Sequence, residues 1–391
     1  MFYPLASPTW DDAEAQAMAR VIASTRHTMG PEVARFETDF AAYLNSPHVL
    51  MASSGSAANL LMLAGCFWHP DLDWRQGDEV IVPAVSWSTT YFPVSQMGLR
   101  LRFVDIDPAT LNIDPALAEA AITPRTRAIL AVNLLGNPAE LIRLREICDR
   151  HGILLLEDNC ESMGATLAGR QTGTFGFAGT FSTFFSHHIC TMEGGLIATP
   201  DRRLRDTILS LRAHGWTREQ PEGSHLAPDP DPFIRQFRFA LPGYNLRPLE
   251  LEGATGQEQL RKLPDFIVKR RRNAAIFRDL FSDCEDVTIQ QETGESSWFG
   301  FALTLREGLA DRRGDLVRAL TAADIETRPI VAGNFLNNPV ISKLDHTVAS
   351  PLPAAETIDR QGLFTGNGHL PLGPQLTRLR EVVETVRKAK P

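Results

Sequence analysis

The 391 residues, 43% hydrophobic and 22% charged, describe an ordinary globular chain too long for one small core. A large domain with a smaller companion is therefore expected. The formal net charge of −8 disfavours a general nucleic-acid surface. The opening MFYPLASPTWDDAEAQ has neither a basic start nor an apolar run of signal-peptide length, and no window approaches the roughly 20 apolar residues of a membrane span. Cys66, Cys148, Cys160, Cys190 and Cys284 are scattered, with no C-x-x-C pair. That pattern predicts reduced thiols in a cytoplasmic protein, with neither a disulfide framework nor a zinc knuckle.

In chain order, the patterning predicts amphipathic helices over Trp10 to Ser24 and Pro31 to Leu44, then a helix opening at a glycine in GSAANLLMLAGC (55–66). Short apolar runs follow: EVIVPAV (79–85), LRFVDI (101–106), AILAVNLLG (128–136) and ILLLED (153–158). A helix from Pro138 to Arg150, with proline in its first turn, separates the last two. Strands alternating with helices imply a mostly parallel sheet covered on both faces. GTFSTFF (179–185) and GLIAT (195–199) flank two adjacent histidines, and TREQPEGSHLAPDPDPFIR (217–235) reads as a long loop. Leu249 to Leu280 reads as a long helix broken near Pro264. Its Lys269-Arg270-Arg271-Arg272 run, next to Ala274, Ala275 and Phe277, reads as a solvated face. SWFGFALTL, a helix near 312–322, IETRPIV and a terminal helix near 375–388 suggest a small α+β domain. The boundary falls near residue 260, giving domains 1–260 and 261–391.

In an open parallel sheet, ligands sit at the carboxyl ends of strands. Gly55 and Ser56, in SSGSAAN, would either bring backbone N–H groups and a hydroxyl to an anion at a helix N-terminus or form a simple capped turn. Asp158 ends a continuous apolar strand, as a cap or as the buried partner of a protonated ring nitrogen. Glu161 could share its pocket. Trp87 could cover a flat ring or fill core. Ser182 is either a phosphate donor or a small buried residue. For His187 and His188 a metal site is the rival reading. Adjacent strand residues point to opposite faces, and no second His/Cys cluster lies near, so no metal is expected.

The order of these features resembles pyridoxal-phosphate enzymes of the aspartate aminotransferase fold (fold type I). Within it, the chain resembles the nucleotide-sugar aminotransferase family (DegT/DnrJ/EryC/StrS). The resemblance runs from Tyr3-Pro4-Leu5 through VPAVSWSTTY, LLEDNCESMGA, SHHICTMEGG, RAHGWTR and GYNLRPLELEGATGQEQL (243–260) to ETGESSWFGF and RPIVAGNF. It implies a large domain with a mostly parallel sheet and a smaller α+β domain. In that family the Schiff-base lysine lies six residues before the Glu of a Glu-Gly-Gly turn, and counting back from Glu193 gives His187. Histidine forms no stable Schiff base, and this exchange marks the family's sugar 3-dehydratase branch.

The resemblance therefore implies pyridoxal or pyridoxamine 5′-phosphate bound non-covalently and a 4-keto-6-deoxy sugar nucleotide of the GDP-mannose series as substrate. His187 would be the proton-transfer residue, and L-glutamate would regenerate the amine. Asn245 would reach the cofactor phosphate and Arg247 the glutamate carboxylate, both across a homodimer with shared sites. Ser186 and His214 would be pocket residues, and His188 a structural neighbour. The dispersed cysteines depart from the iron–sulfur relatives, so no cluster is expected. An ordinary aminotransferase, a CDP-hexulose 3-dehydrase and a non-catalytic sensor are the alternatives.

Overall fold

The computed structural model describes residues 2–226 and 229–389. Its centre is an eight-stranded sheet in the order His48–Ala52, Gly195–Thr199, Ala178–Ser182, Leu154–Asp158, Thr126–Val132, Glu79–Pro83, Arg100–Val104 and His346–Val348. Every pairing is parallel except the two made by Gly195–Thr199. The continuous apolar runs follow from burial of both faces. In Thr126–Val132, Ala128, Leu130 and Val132 join the core on one face, while Ile129 and Ala131 join the core on the other.

A second sheet, antiparallel throughout, has the order Val287–Ile289, Gly300–Leu305, Gly362–Gly366, Thr327–Arg328. Helices Arg313–Ala322 and Gly373–Lys388 pack against it around Phe277, Phe301 and Leu376. Tyr3 is fully buried in this small lobe, its hydroxyl donating to the Gly366 carbonyl at 2.6 Å. The chain beyond residue 260 does not all stay there. Ile330, Phe335, Ala355 and Ile358 return to the core of the large sheet, whose edge strand is His346–Val348. Asp105 holds this excursion by accepting from the N–H groups of Ala354 and Ala355 at 2.8 and 2.9 Å.

Three sequence expectations are corrected. The helix Glu250–Phe281 runs unbroken through Pro264. Leu263, Phe266 and Ile267 are buried, and contacts with both N-terminal helices hold this stretch in place, so packing outweighs the missing hydrogen bond. The helix expected from Pro138 begins only at Leu141. Asn112 donates to the Asn137 and Pro138 carbonyls at 3.1 and 3.0 Å, taking acceptors that a helix would need. The basic run is not one solvated face: Arg270 is 4% exposed, and Arg271 donates to the Ser296 carbonyl at 2.9 Å. The 217–235 stretch contains a four-residue helix, Pro232–Arg235, and residues 227–228 lie outside the described residues.

Candidate active site

Strands carry side chains to their carboxyl ends, and here those ends surround a cavity of about 340 Å³. Gly55, Ser56, Trp87, Asp158, Glu161, Ser182, Ser186 and His187 all line it. The reversed strand Gly195–Thr199 brings its amino end to the same edge, which places Glu193 on the wall. Gly195 is required there, because a Cβ on it would meet the Ser54 carbonyl oxygen at 2.2 Å.

Asp158 is the best-defined polar group. Its Oδ2 accepts from Asn59 Nδ2 at 2.8 Å and from Thr90 Oγ1 at 2.7 Å, and its Oδ1 accepts from the Cys160 N–H at 3.2 Å. The donors are themselves oriented. Thr180 donates to Asn59 Oδ1 at 2.6 Å, and Ser86 Oγ lies 2.8 Å from Thr90 Oγ1. A side chain surrounded by donors is an ionised acceptor, with lone pairs left for one more N–H. Glu161 accepts from the Leu135 N–H at 3.0 Å. Burial raises its carboxyl to about 7, the Leu135 bond opposing this and Asp158 adding to it.

Helix Gly55–Phe67 starts at the cavity, with Ser54 capping Ala57 N–H at 3.0 Å. Ser56 Oγ lies 3.1 Å from Thr89 Oγ1, so hydroxyls gather at a positive helix end. Trp87 presents a 57% exposed indole at the rim.

His187 and His188 lie in a bend after the strand Ala178–Ser182, not on a strand, so the opposite-faces argument does not apply to them. Both rings meet Phe299, with centroids 5.2 and 5.7 Å away. His188 is fully buried and its Nε2 approaches the Ser297 carbonyl at 3.4 Å. His187 faces the cavity, and its Nδ1 is buried without a protein partner. Burial, then the Arg270 guanidinium, push the His187 imidazole down to about 4, and His188 is pushed in the same direction. Among the described residues, no group of three or more His, Cys, Asp or Glu side chains is placed to hold a metal.

Asn245, Arg247 and His214 do not line this cavity. They gather elsewhere: Arg247 Nε donates to Asn245 Oδ1 at 2.9 Å, its guanidinium sits 5.6 Å from the Trp216 ring, and His214 packs on the same ring at 4.5 Å. Sequence reasoning missed Asn59 and Thr90, the partners of Asp158, and gave Phe299 and Arg328 no role. Asn59 was findable, one helical turn after Gly55 and on the same face. No local signal announces Phe299, which arrives from the small lobe.

The donor set fits a flat, protonated heteroaromatic ring bearing a phosphate ester. It offers a buried carboxylate for the ring nitrogen, a helix start with hydroxyls for the phosphate and an indole for the ring face. No lysine lines the cavity, and all five lysines of the chain lie at residue 262 or beyond.

The model of the DegT/DnrJ/EryC1/StrS aminotransferase family matches residues 8–387. A GDP-4-keto-6-deoxy-D-mannose 3-dehydratase from Yersinia pseudotuberculosis is 54% identical over 385 residues, 98% of each chain. A crystal structure of a GDP-4-keto-6-deoxymannose-3-dehydratase with a trapped PLP-glutamate geminal diamine superposes with a TM-score of 0.95 at 51% identity, covering 97% of this chain and 99% of that one. A histidine-to-asparagine variant of such a dehydratase with bound GDP-perosamine gives a TM-score of 0.95 at 51% identity, covering 97% and 100%.

Proposed function

We propose that this chain, which belongs to the DegT/DnrJ/EryC1/StrS aminotransferase family, is a sugar-nucleotide 3-dehydratase. It removes the C3 hydroxyl of GDP-4-keto-6-deoxymannose to give a 4-keto-3,6-dideoxy sugar, and L-glutamate restores the amine form of its pyridoxal phosphate cofactor. One observation carries this reading: the cavity that offers Asp158 to a ring nitrogen offers His187, and no lysine, to the reacting carbon. The 54% identity to a dehydratase of that name supports the choice of sugar nucleotide.

The cofactor supplies an amine that condenses with a ketone and a protonated ring that withdraws electrons. The residues do the rest. Asp158, fixed by Asn59 and Thr90, holds the ring proton in place. Ser56, Ser182 and the start of helix Gly55–Phe67 bind phosphate, and Trp87 covers the ring. With Nδ1 buried, Nε2 of His187 is the nitrogen left to exchange a proton with the cavity. It takes a proton as base and returns it to the departing hydroxyl, which leaves as water. A histidine forms no lasting bond to the cofactor, so the amine stays free for the sugar.

Asn245, Arg247 and His214 complete the cavity of a second copy in a homodimer, with Arg247 gripping the glutamate carboxylate. Their position away from their own chain's cavity supports this reading. Incubating the protein with GDP-4-keto-6-deoxymannose and L-glutamate should release ammonia and 2-oxoglutarate, and borohydride should leave no cofactor on the chain. No glutamate turnover with any 4-keto-6-deoxy sugar nucleotide would refute the proposal.

A further inference from the structure

Arg270 is a buried guanidinium that the chemistry above does not use. It is 4% exposed, and it forms no ion pair with a carboxylate among the described residues. Its Nη1 instead donates to three backbone carbonyls: Trp298 and Phe299 at 3.3 Å each and Asn367 at 3.0 Å. Asn367 returns the grip, its Nδ2 donating to the Trp298 carbonyl at 2.9 Å and to that of Arg270 at 3.2 Å. The segment held in this way is unusual. Trp298 has a φ of +50°, and its backbone presses on Gly136, where a Cβ would come within 2.4 Å of the Trp298 nitrogen. Phe299, the next residue, touches both imidazoles. The Ser297 carbonyl, one residue before, meets His188.

An arginine without a counter-ion is costly to bury, and apolar packing alone would need no charge there. The groups around His187 are His188 on its own bend, Arg270 on the long helix, and Asp158, Cys160, Glu161, Glu193 and Arg328 around the cavity. Burial, and after it the Arg270 guanidinium, disfavour charge on both imidazoles.

We propose that Arg270 is the positioning residue of His187: it clamps the Trp298–Phe299 backbone so that Phe299 fixes the imidazole. This rests on the reading of His187 as the proton shuttle and deepens it. A ring that resists charge enters the reaction neutral, as a base must, and is a correspondingly weaker base. Once protonated, it is a strong acid, suited to delivering that proton to a poor leaving hydroxyl. The proton is taken and returned at one nitrogen, so the residue ends unchanged and water is the product.

The decisive measurement is the NMR titration of the His187 ring in protein free of cofactor and substrate, its signal assigned by its loss in His187→Asn. The ring should titrate well below 6, and Arg270→Met should move it up by up to about 1 pH unit, burial keeping the larger share of the shift. Arg270→Lys, which keeps the charge on a shorter side chain that falls short of the Nη1 position, should leave the titration low but reduce kcat about tenfold, with KM little changed. A wild-type His187 titrating near 6.5 overturns the proposal, as does an unmoved titration in folded Arg270→Met. If Arg270→Met does not fold by circular dichroism, wild type and Arg270→Lys decide, and an undiminished kcat in Arg270→Lys rejects the clamp. The titration needs no substrate, so failure to dehydrate any sugar would sink the functional proposal and leave this result standing.

Discussion

Asparagine at position 187 keeps a smaller polar side chain in place of the imidazole and removes its proton chemistry. His187→Asn should therefore lower dehydration by about 10³-fold, while His188→Asn should cost less than about tenfold. Product formation from the 4-keto sugar nucleotide measures both, and the reverse ranking would mean that His188 is the shuttle. The two rings also predict a pH dependence of stability. Their folded pKa values lie below the ordinary imidazole value, His187 at about 4. The unfolded chain thus takes up protons first as the pH falls. Stability from these sites is present above about 6.5 and drains away toward 4, by about 1–2 kcal/mol for the partly exposed His187. Urea midpoints between pH 7 and pH 5 should fall, and the fall should be smaller in His187→Asn. Of the site at this scale, Asp158 was legible from its strand-end position, and His187 from counting back to a turn by the spacing that the family resemblance supplies. Asn59 and Thr90 were not, because their value lies in meeting Asp158 across 99 and 68 residues of chain.

Single elements obeyed local rules until packing intervened. The Asp11 capping box and the proline at the start of Pro31–Leu44 mark two helices where the sequence places them. Pro138 carries the same helix-start signal but lies outside its helix, because Asn112 has claimed the local carbonyls. Pro264 carries a stop signal inside a 32-residue helix that bridges both lobes. Gly136 is where an element-scale test bites. Its φ is +94°, and any side chain would strike the 298–299 backbone. Gly136→Ala should destabilise by about 2 kcal/mol or more and shift the segment that carries Phe299. A thermal melt together with kcat would show both losses, and an unchanged kcat in a folded variant would uncouple that segment from the chemistry.

For the whole molecule, the shared-site proposal makes a prediction that no single chain can satisfy. His187→Asn and Arg247→Ala dimers should each be nearly inactive. If each cavity borrows Arg247 from its neighbour, a mixed dimer holds one doubly damaged site and one intact site. Unfolding and refolding the two together should then recover about a quarter of wild-type activity. No recovery, with mixed dimers demonstrated by mass, would return Arg247 to its own chain. The sequence by itself determined the alternating strands and helices, the parallel sheet and the strand-end site, because periodicity and local spacing encode these, while its resemblance to the family carried the exchange of a lysine for a histidine. Only the tertiary structure decided which donors fix Asp158, that residues 330–358 return to the large sheet, and that a buried arginine holds the backbone whose Phe299 meets the His187 ring. Those depend on contacts between segments far apart in the chain, and no local pattern records what a side chain will meet once the chain has folded.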